Sequence, residues 1–140
     1  MLKSKLLHPE ILSALGSNGH GSKLLIADGN YPFTTGVPEK ARKVFLNLSP
    51  GMLLVIDVLK VINDVAPVES YLVMLPPDGA PQAIHEEFQS ILGVGTPVTK
   101  VKRFDFYKEA RSEDTFLVIA TGEMRRFANI LITIGVVKFE

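Results

Sequence analysis

The sequence predicts an α/β fold with a mixed β-sheet covered by helices. Short apolar runs bounded by turn residues alternate with segments of helical period, the pattern of strands interleaved with helices. The last two strand-like segments are separated by only a short loop, so they are expected to pair antiparallel. Apolar residues make up 46% and charged residues 21% of 140 positions, the composition of one folded unit with a sizeable core. With no internal repeat, low-complexity tract or linker, residues 1–140 read as a single domain.

Taken in order, His8-Pro9-Glu10 opens a short helix, because proline suits the first helical position, and Gly16 can stop it. Leu24-Leu25-Ile26-Ala27 is a four-residue apolar run closed by Asp28-Gly29-Asn30, the form of a buried strand ending in a turn. Ser49-Pro50 is expected to cap a second helix over residues 51–63, apolar on nearly every face and so covered on more than one side. Residues 68–75 form the next strand, closed by Pro76-Pro77-Asp78-Gly79. Pro81 begins a helix to about Leu92, with Ile84, Phe88, Ile91 and Leu92 at helical spacing. Residues 98–104 read as a strand leading into a short amphipathic turn at 106–110, and strands at 115–121 and 129–137 are joined across 122–127.

Lysine plus arginine equals aspartate plus glutamate, 15 each, so the formal charge is zero. A nucleic-acid partner is not expected, because nothing provides a basic face to neutralise phosphates. With mean hydropathy +0.23 and little net repulsion between copies, self-association is expected instead. There is no cysteine, which excludes disulfides, thiolate chemistry and cysteine-ligated metal sites. The N-terminal stretch lacks the apolar core of a signal peptide, and no apolar run approaches the ~20 residues needed to span a bilayer. The expected setting is the cytoplasm, with no membrane partner.

The candidate chemistry begins with three histidines. His8 and His85 read as surface residues, and no pair has metal-ligand spacing, so no metal is expected. His20 lies in Gly19-His20-Gly21, eight residues before Asp28 at the far end of a buried strand. Flanking glycines let the backbone place an imidazole in a cleft, and imidazole, with an unperturbed pKa of about 6.5, both gives and takes protons near neutrality. A turn histidine making one hydrogen bond fits equally well, and Asp28-Gly29 is also a common turn pair. Asn129 offers a donor and an acceptor at a strand end, which suits a sugar hydroxyl and equally a turn or strand-end cap. Arg103 and Tyr107 bracket Arg103-Phe104-Asp105-Phe106-Tyr107, where a sugar contact and a structural salt bridge or core tyrosine remain alternatives.

Several of these blocks, in order and over essentially the whole chain, resemble the D-ribose pyranase / L-fucose mutarotase family. They are Gly19-His20-Gly21, Leu24 to Asp28 with Pro32, Gly51-Met52-Leu53-Leu54, the stretch Arg103 to Ala110, Thr121-Gly122-Glu123, and Ala128-Asn129-Ile130-Leu131. The Arg-Phe-x-Phe-Tyr block resembles the fucose mutarotase branch.

The resemblance implies a three-layer α/β/α fold and a cofactor-independent enzyme that interconverts anomers or ring forms of a free reducing sugar such as L-fucose. It also implies a ring-shaped homo-oligomer, typically a decamer, with active sites between subunits. The residue matching His20 is the proton-transferring group, and the positions matching Asp28, Arg103, Tyr107, Phe127 and Asn129 contact the sugar. Asp28 is expected either to orient the imidazole or to grip a ring hydroxyl. One departure stands out: family members usually carry tyrosine two residues before the asparagine, and here that position is Phe127. Its role is therefore confined to ring packing, and a D-ribose pyranase-type activity or a non-catalytic sugar-binding protein linked to sugar uptake are the alternatives.

Overall fold

A computed structural model of the chain describes residues 1–139. They form helices α1 (Pro9–Gly16), α2 (Val55–Asn63), α3 (Ala83–Leu92) and α4 (Arg103–Ala110), with strands β1 (Lys23–Ala27), β2 (Arg42–Phe45), β3 (Val68–Leu75), β4 (Val98–Lys102), β5 (Thr115–Ala120) and β6 (Ile130–Ile134). The strands make one sheet in the order β2-β5-β1-β6-β3-β4. Neighbours are parallel except at β6, which runs antiparallel to both β1 and β3. The mixed sheet is as expected.

The expected β5–β6 pair is not. β1 lies between them, parallel to β5 and antiparallel to β6. The four apolar residues of β1 are fully buried on both faces, which requires a central position with a strand along each edge. The connection at 121–129 is long enough to step over one strand, since neighbouring strands lie only about 4.8 Å apart.

Alternate residues of the central strands feed two separate cores. Leu24, Ile26, Leu117, Ile119, Ile130 and Ile132 face α1, α2 and α3, where Ile11, Leu59, Ile62 and Phe88 meet them. Leu25, Ala27, Val118 and Leu131 face the other way, against Phe106 and Ala110 of α4 and against Tyr31, Val37 and Ala41 of the loop after β1. The period of two along each strand thus builds three layers, α/β/α.

Several boundaries differ from expectation: β6 ends at Ile134 rather than 137, and α3 begins at Ala83 rather than Pro81. α2 begins at Val55, where the Asp57 carboxylate accepts the Leu54 N–H at 3.0 Å. Residues 49–52 form a turn instead, because Gly51 has φ +83° and its N–H donates to the Gly122 carbonyl at 2.7 Å. α2 buries the stripe Val55, Val58, Leu59 and Ile62, while Met52 and Leu53 stay exposed, so it is covered on one side rather than several. β4 stops at Lys102 and α4 starts on the next residue, which moves Arg103 and Phe104 from strand to helix. β2, a short basic edge strand, has no counterpart in the sequence reading; edge lysine and arginine discourage pairing with another chain. Among the described residues no helix is long and apolar enough to cross a membrane.

Candidate active site

Because β1, β3, β4 and β5 are parallel, their carboxyl ends share one edge of the sheet, and the antiparallel β6 brings its amino end there. The carboxyl edge of such sheets, where strand order switches, is where open α/β folds place ligands. A cleft of about 370 Å³ opens there, lined by Asp28, Asn30, Tyr31, Met74, Arg103, Tyr107, Arg126, Phe127 and Asn129. Five expected sugar-contacting residues, Asp28, Arg103, Tyr107, Phe127 and Asn129, thus share one space.

Asp28 and Asn129 form its floor, both almost wholly buried. The Asp28 N–H donates to Asn129 Oδ1 at 2.8 Å, and Asn129 Nδ2 donates back to Asp28 Oδ2 at 3.1 Å. The Asn30 N–H donates to Asp28 Oδ1 at 3.0 Å, and the Ala128 N–H approaches Oδ2 at 3.4 Å. Burial pushes the Asp28 carboxyl above the ordinary aspartate value, outweighing the pull of these donors the other way. A carboxylate held this way is a strong acceptor for ligand hydroxyls.

One wall is aromatic. The direct passage from β4 into α4 puts Arg103 in the first helical turn and Tyr107 one turn later on the same face. Tyr107 meets Tyr31 edge to face, 5.3 Å between ring centroids. The Tyr31 hydroxyl donates to the Gly36 carbonyl at 2.7 Å, and burial pushes that phenol above its usual range. Phe127 holds φ 59°, an uncommon backbone for a bulky residue. Its carbonyl accepts a hydrogen from His85 Nε2 at 3.0 Å, which fixes that tautomer. His85 is therefore half-buried rather than a solvent-facing surface residue, and burial lowers its pKa. His8 caps α1, its Nδ1 facing the Ile11 N–H at 3.5 Å.

His20 does not join this cleft within one copy of the chain. It precedes β1 and Asp28 follows it, and five strand residues at about 3.3 Å each separate the two ends by roughly 16 Å. The imidazole is exposed, and Nε2 lies 3.0 Å from Glu69 Oε1. Asp28 therefore cannot orient it in the same copy; Glu69 does. The β3–β6 register shifts between Val68 and Ser70, so Glu69 is the extra residue of a bulge, a device that re-aims one side chain. Across the sheet edge, the Gly21 N–H donates to the Ile134 carbonyl at 2.9 Å, holding the histidine loop beside that bulge.

The chain matches the model of the RbsD / FucU transport protein family over residues 1–137. The chain belongs to this family. It is 31% identical to the human fucose mutarotase, an alignment covering 94% of this chain and 90% of that protein. Among solved structures, the RbsD/FucU fold of this chain is similar to Bacillus subtilis RbsD complexed with D-ribose, with TM-score 0.83, 26% identity, and 99% and 100% of the two chains covered. It is also similar to the Streptococcus pneumoniae fucose mutarotase in complex with L-fucose, with TM-score 0.77, 28% identity, and 98% and 100% covered.

Sequence reasoning missed Asn30, Tyr31, Met74, Arg126 and Glu69. Tyr31 and Arg126 adjoin residues already singled out, and that adjacency was the available signal. Glu69 had none, because a bulge is set by strand register and not by local sequence.

Proposed function

We propose that this RbsD/FucU chain is a cofactor-independent sugar mutarotase, an isomerase working in the cytoplasm as a single-domain subunit of a ring-shaped homo-oligomer, in family fashion a decamer. Its substrate is a free reducing monosaccharide, the class to which L-fucose belongs. The observation that carries this reading is the Asp28–Asn129 pair at the floor of a cleft walled by Tyr107, Arg103 and Phe127. Such a floor accepts and donates hydrogen bonds to adjacent hydroxyls while an aromatic face covers the apolar side of the ring.

The reaction takes a proton from the anomeric hydroxyl and delivers one to the ring oxygen, breaking the bond between C1 and that oxygen. The open-chain aldehyde rotates about the C1–C2 bond and recloses with the proton movements reversed. His20 is the group that moves the protons, and Glu69 fixes its orientation. General acid–base help of this kind is worth about 10²–10⁴-fold. Since His20 stands at the amino edge of the sheet and the cleft at the carboxyl edge, His20 serves the cleft of a neighbouring copy. The exposed side chains of Phe45, Leu48, Met52 and Leu53 provide apolar surface for that association.

The test is exchange NMR of α/β anomers over fucose, ribose, galactose and rhamnose. Wild type accelerates exchange of at least one sugar, and His20→Ala loses most of that acceleration; an unchanged rate in the variant rules out the assignment. Mixed oligomers of His20→Ala with Asp28→Asn regain part of the activity only when one site draws on two copies. Phe127, which lacks the phenol usual at its position, favours one second reading, a sugar-binding protein without catalysis; it predicts saturable binding with no faster exchange. A ribose-preferring, pyranase-type activity is distinguished within the same panel.

A further inference from the structure

Beyond Arg103, already assigned to the sugar, the cleft carries a second guanidinium, that of Arg126, set across from the Asp28 carboxylate at the floor. Arg103 and Arg126 both line it, and among the described residues neither guanidinium has a carboxylate within ion-pairing distance. Arg125, next in the chain, is treated differently. Its guanidinium bonds both oxygens of buried Glu123 at 3.1 Å and also meets Glu87, so its charge is consumed by structure. On a chain whose formal charge is zero, two unpaired guanidiniums at one mouth are a matter of placement rather than composition.

Their posture fits anion capture. Arg103 lies over the Phe104 ring at 4.8 Å and Arg126 over the Phe127 ring at 5.5 Å. Stacking holds a guanidinium by its face and leaves its edge N–H groups free, and that edge is the fork that matches an oxyanion. Arg126 and Phe127 also line a second groove of about 790 Å³, shared with the Asp78 carboxylate, the already paired Arg125, Gln82 and Met124. The two spaces meet at this arginine, so a substituent projecting from a sugar seated on Asp28 and Asn129 has room to pass it. The Asp28 carboxylate stays at the floor, tied to three donors, where it meets hydroxyls rather than the anion.

We infer that the substrate is an anionic monosaccharide, a free reducing sugar bearing a carboxylate or phosphate remote from the anomeric carbon, with its oxyanion held between Arg103 and Arg126. The inference rests on the mutarotase reading and names the substrate class of that same site. No new bond chemistry is involved, because the anion is a handle and the reaction at C1 is unchanged.

The experiment measures kcat/KM for anomer exchange by NMR on matched sets. D-galacturonate and D-galactose 6-phosphate are each compared with D-galactose, and D-glucuronate and D-glucose 6-phosphate with D-glucose. The expected result is a preference of about tenfold or more for one anionic member of a set over its neutral counterpart, the scale of one charge-assisted hydrogen-bonded contact. The carboxylate and phosphate arms identify which anion is read. That preference shrinks as ionic strength rises, and Arg126→Gln reduces the anionic-to-neutral ratio by about tenfold while Arg126→Lys retains part of it. Faster exchange of neutral sugars without preference for their anionic counterparts overturns the inference and leaves the mutarotase reading standing. An equal loss for charged and neutral sugars in Arg126→Gln assigns the guanidinium to a contact between subunits and also overturns it. Absence of acceleration for every sugar overturns both readings.

Discussion

Replacing Asn129 by aspartate isolates the polar lock at the floor of the cleft. The new carboxyl is isosteric, and when protonated it reproduces both wild-type bonds. One oxygen accepts the Asp28 N–H, and its O–H donates to Asp28 Oδ2 in place of the amide. When it ionises, two carboxylates face each other about 3.1 Å apart in a buried site. At an effective dielectric constant of about 20 their repulsion is about 5 kcal/mol, which raises the second ionisation well above the ordinary carboxylate range.

The sign follows from linkage. The folded pKa of the shared proton lies above its unfolded value, so the stability it contributes is complete below the ordinary carboxylate range and is lost as pH rises toward the folded pKa. The loss is about 1.4 kcal/mol per pH unit, or roughly 5 °C in Tm for a domain of this size. Thermal unfolding of wild type and Asn129→Asp, followed by circular dichroism from pH 4.5 to 8, should show a Tm gap that is small at the acid end. Between pH 5 and pH 7 it should widen by the roughly 10 °C that the variant loses less the smaller loss of wild type. Wild type slopes the same way but less, because Asp28 alone is raised by burial. A gap that does not change with pH would refute the pairing of Asp28 with Asn129.

Gly122→Ala places a Cβ 2.2 Å from the carbonyl oxygens of both Ser49 and Met52, and the backbone there must move. The strain, with weakening of the Gly122 N–H to Leu53 bond at 3.0 Å, is expected to cost about 3 kcal/mol, read as a fall of roughly 10 °C in Tm. Burial alone would raise the Glu123 carboxyl, but its bonds to Arg125 hold it below the ordinary glutamate value. A depressed carboxyl contributes stability that is present above its unfolded pKa of 4.5 and is lost as pH falls through the folded value. Glu123→Gln should therefore cost about 2 kcal/mol at pH 7 and progressively less below pH of about 4, checked by urea unfolding at both ends of that range.

The strands that could be read from sequence are the ones whose burial is local and extreme. The runs 24–27, 116–120 and 130–132 are apolar at every position because both sheet faces are covered. β2 escaped notice because Arg-Lys-Val-Phe buries a single side chain, and nothing in four residues separates that from a loop. α4 was cut short for the opposite reason: a strand passing into a helix between Lys102 and Arg103 leaves no glycine or proline to mark the change. Strand order is a long-range property. That β1 separates β5 from β6 depends on which strands most need two neighbours, and local pattern does not rank them.

The site divides along the same line. Asp28, Arg103, Tyr107 and Asn129 were separate possibilities when judged by residue type; the family resemblance selected them together and added Phe127. The fold then collects them at one edge. His20 shows what spacing conceals. Eight residues look close, but a fully extended strand intervenes, and its partner proves to be Glu69 on a distant strand, brought in by a bulge.

This separation also bears on why the chain should act as an assembly. The carboxyl edge holds the polar floor, the aromatic wall and the arginines, while the amino edge holds the exposed imidazole with its carboxylate. On the proposed reading a lone copy binds sugar without a proton shuttle, and two copies in register complete the reaction. Antiparallel β6 ties the two edges together: Asn129 at its start locks Asp28, and the carbonyl of Ile134 at its end anchors the loop of His20. A single strand of five residues therefore sets the spacing between what binds and what transfers protons. The surface that brings copies together must place the His20 of one copy against the cleft of the other to within hydrogen-bond tolerance, because a general base works only within hydrogen-bonding reach of its proton. Dilution below the dissociation constant of the assembly should then abolish exchange before it abolishes binding, which an inherently monomeric catalyst would not do.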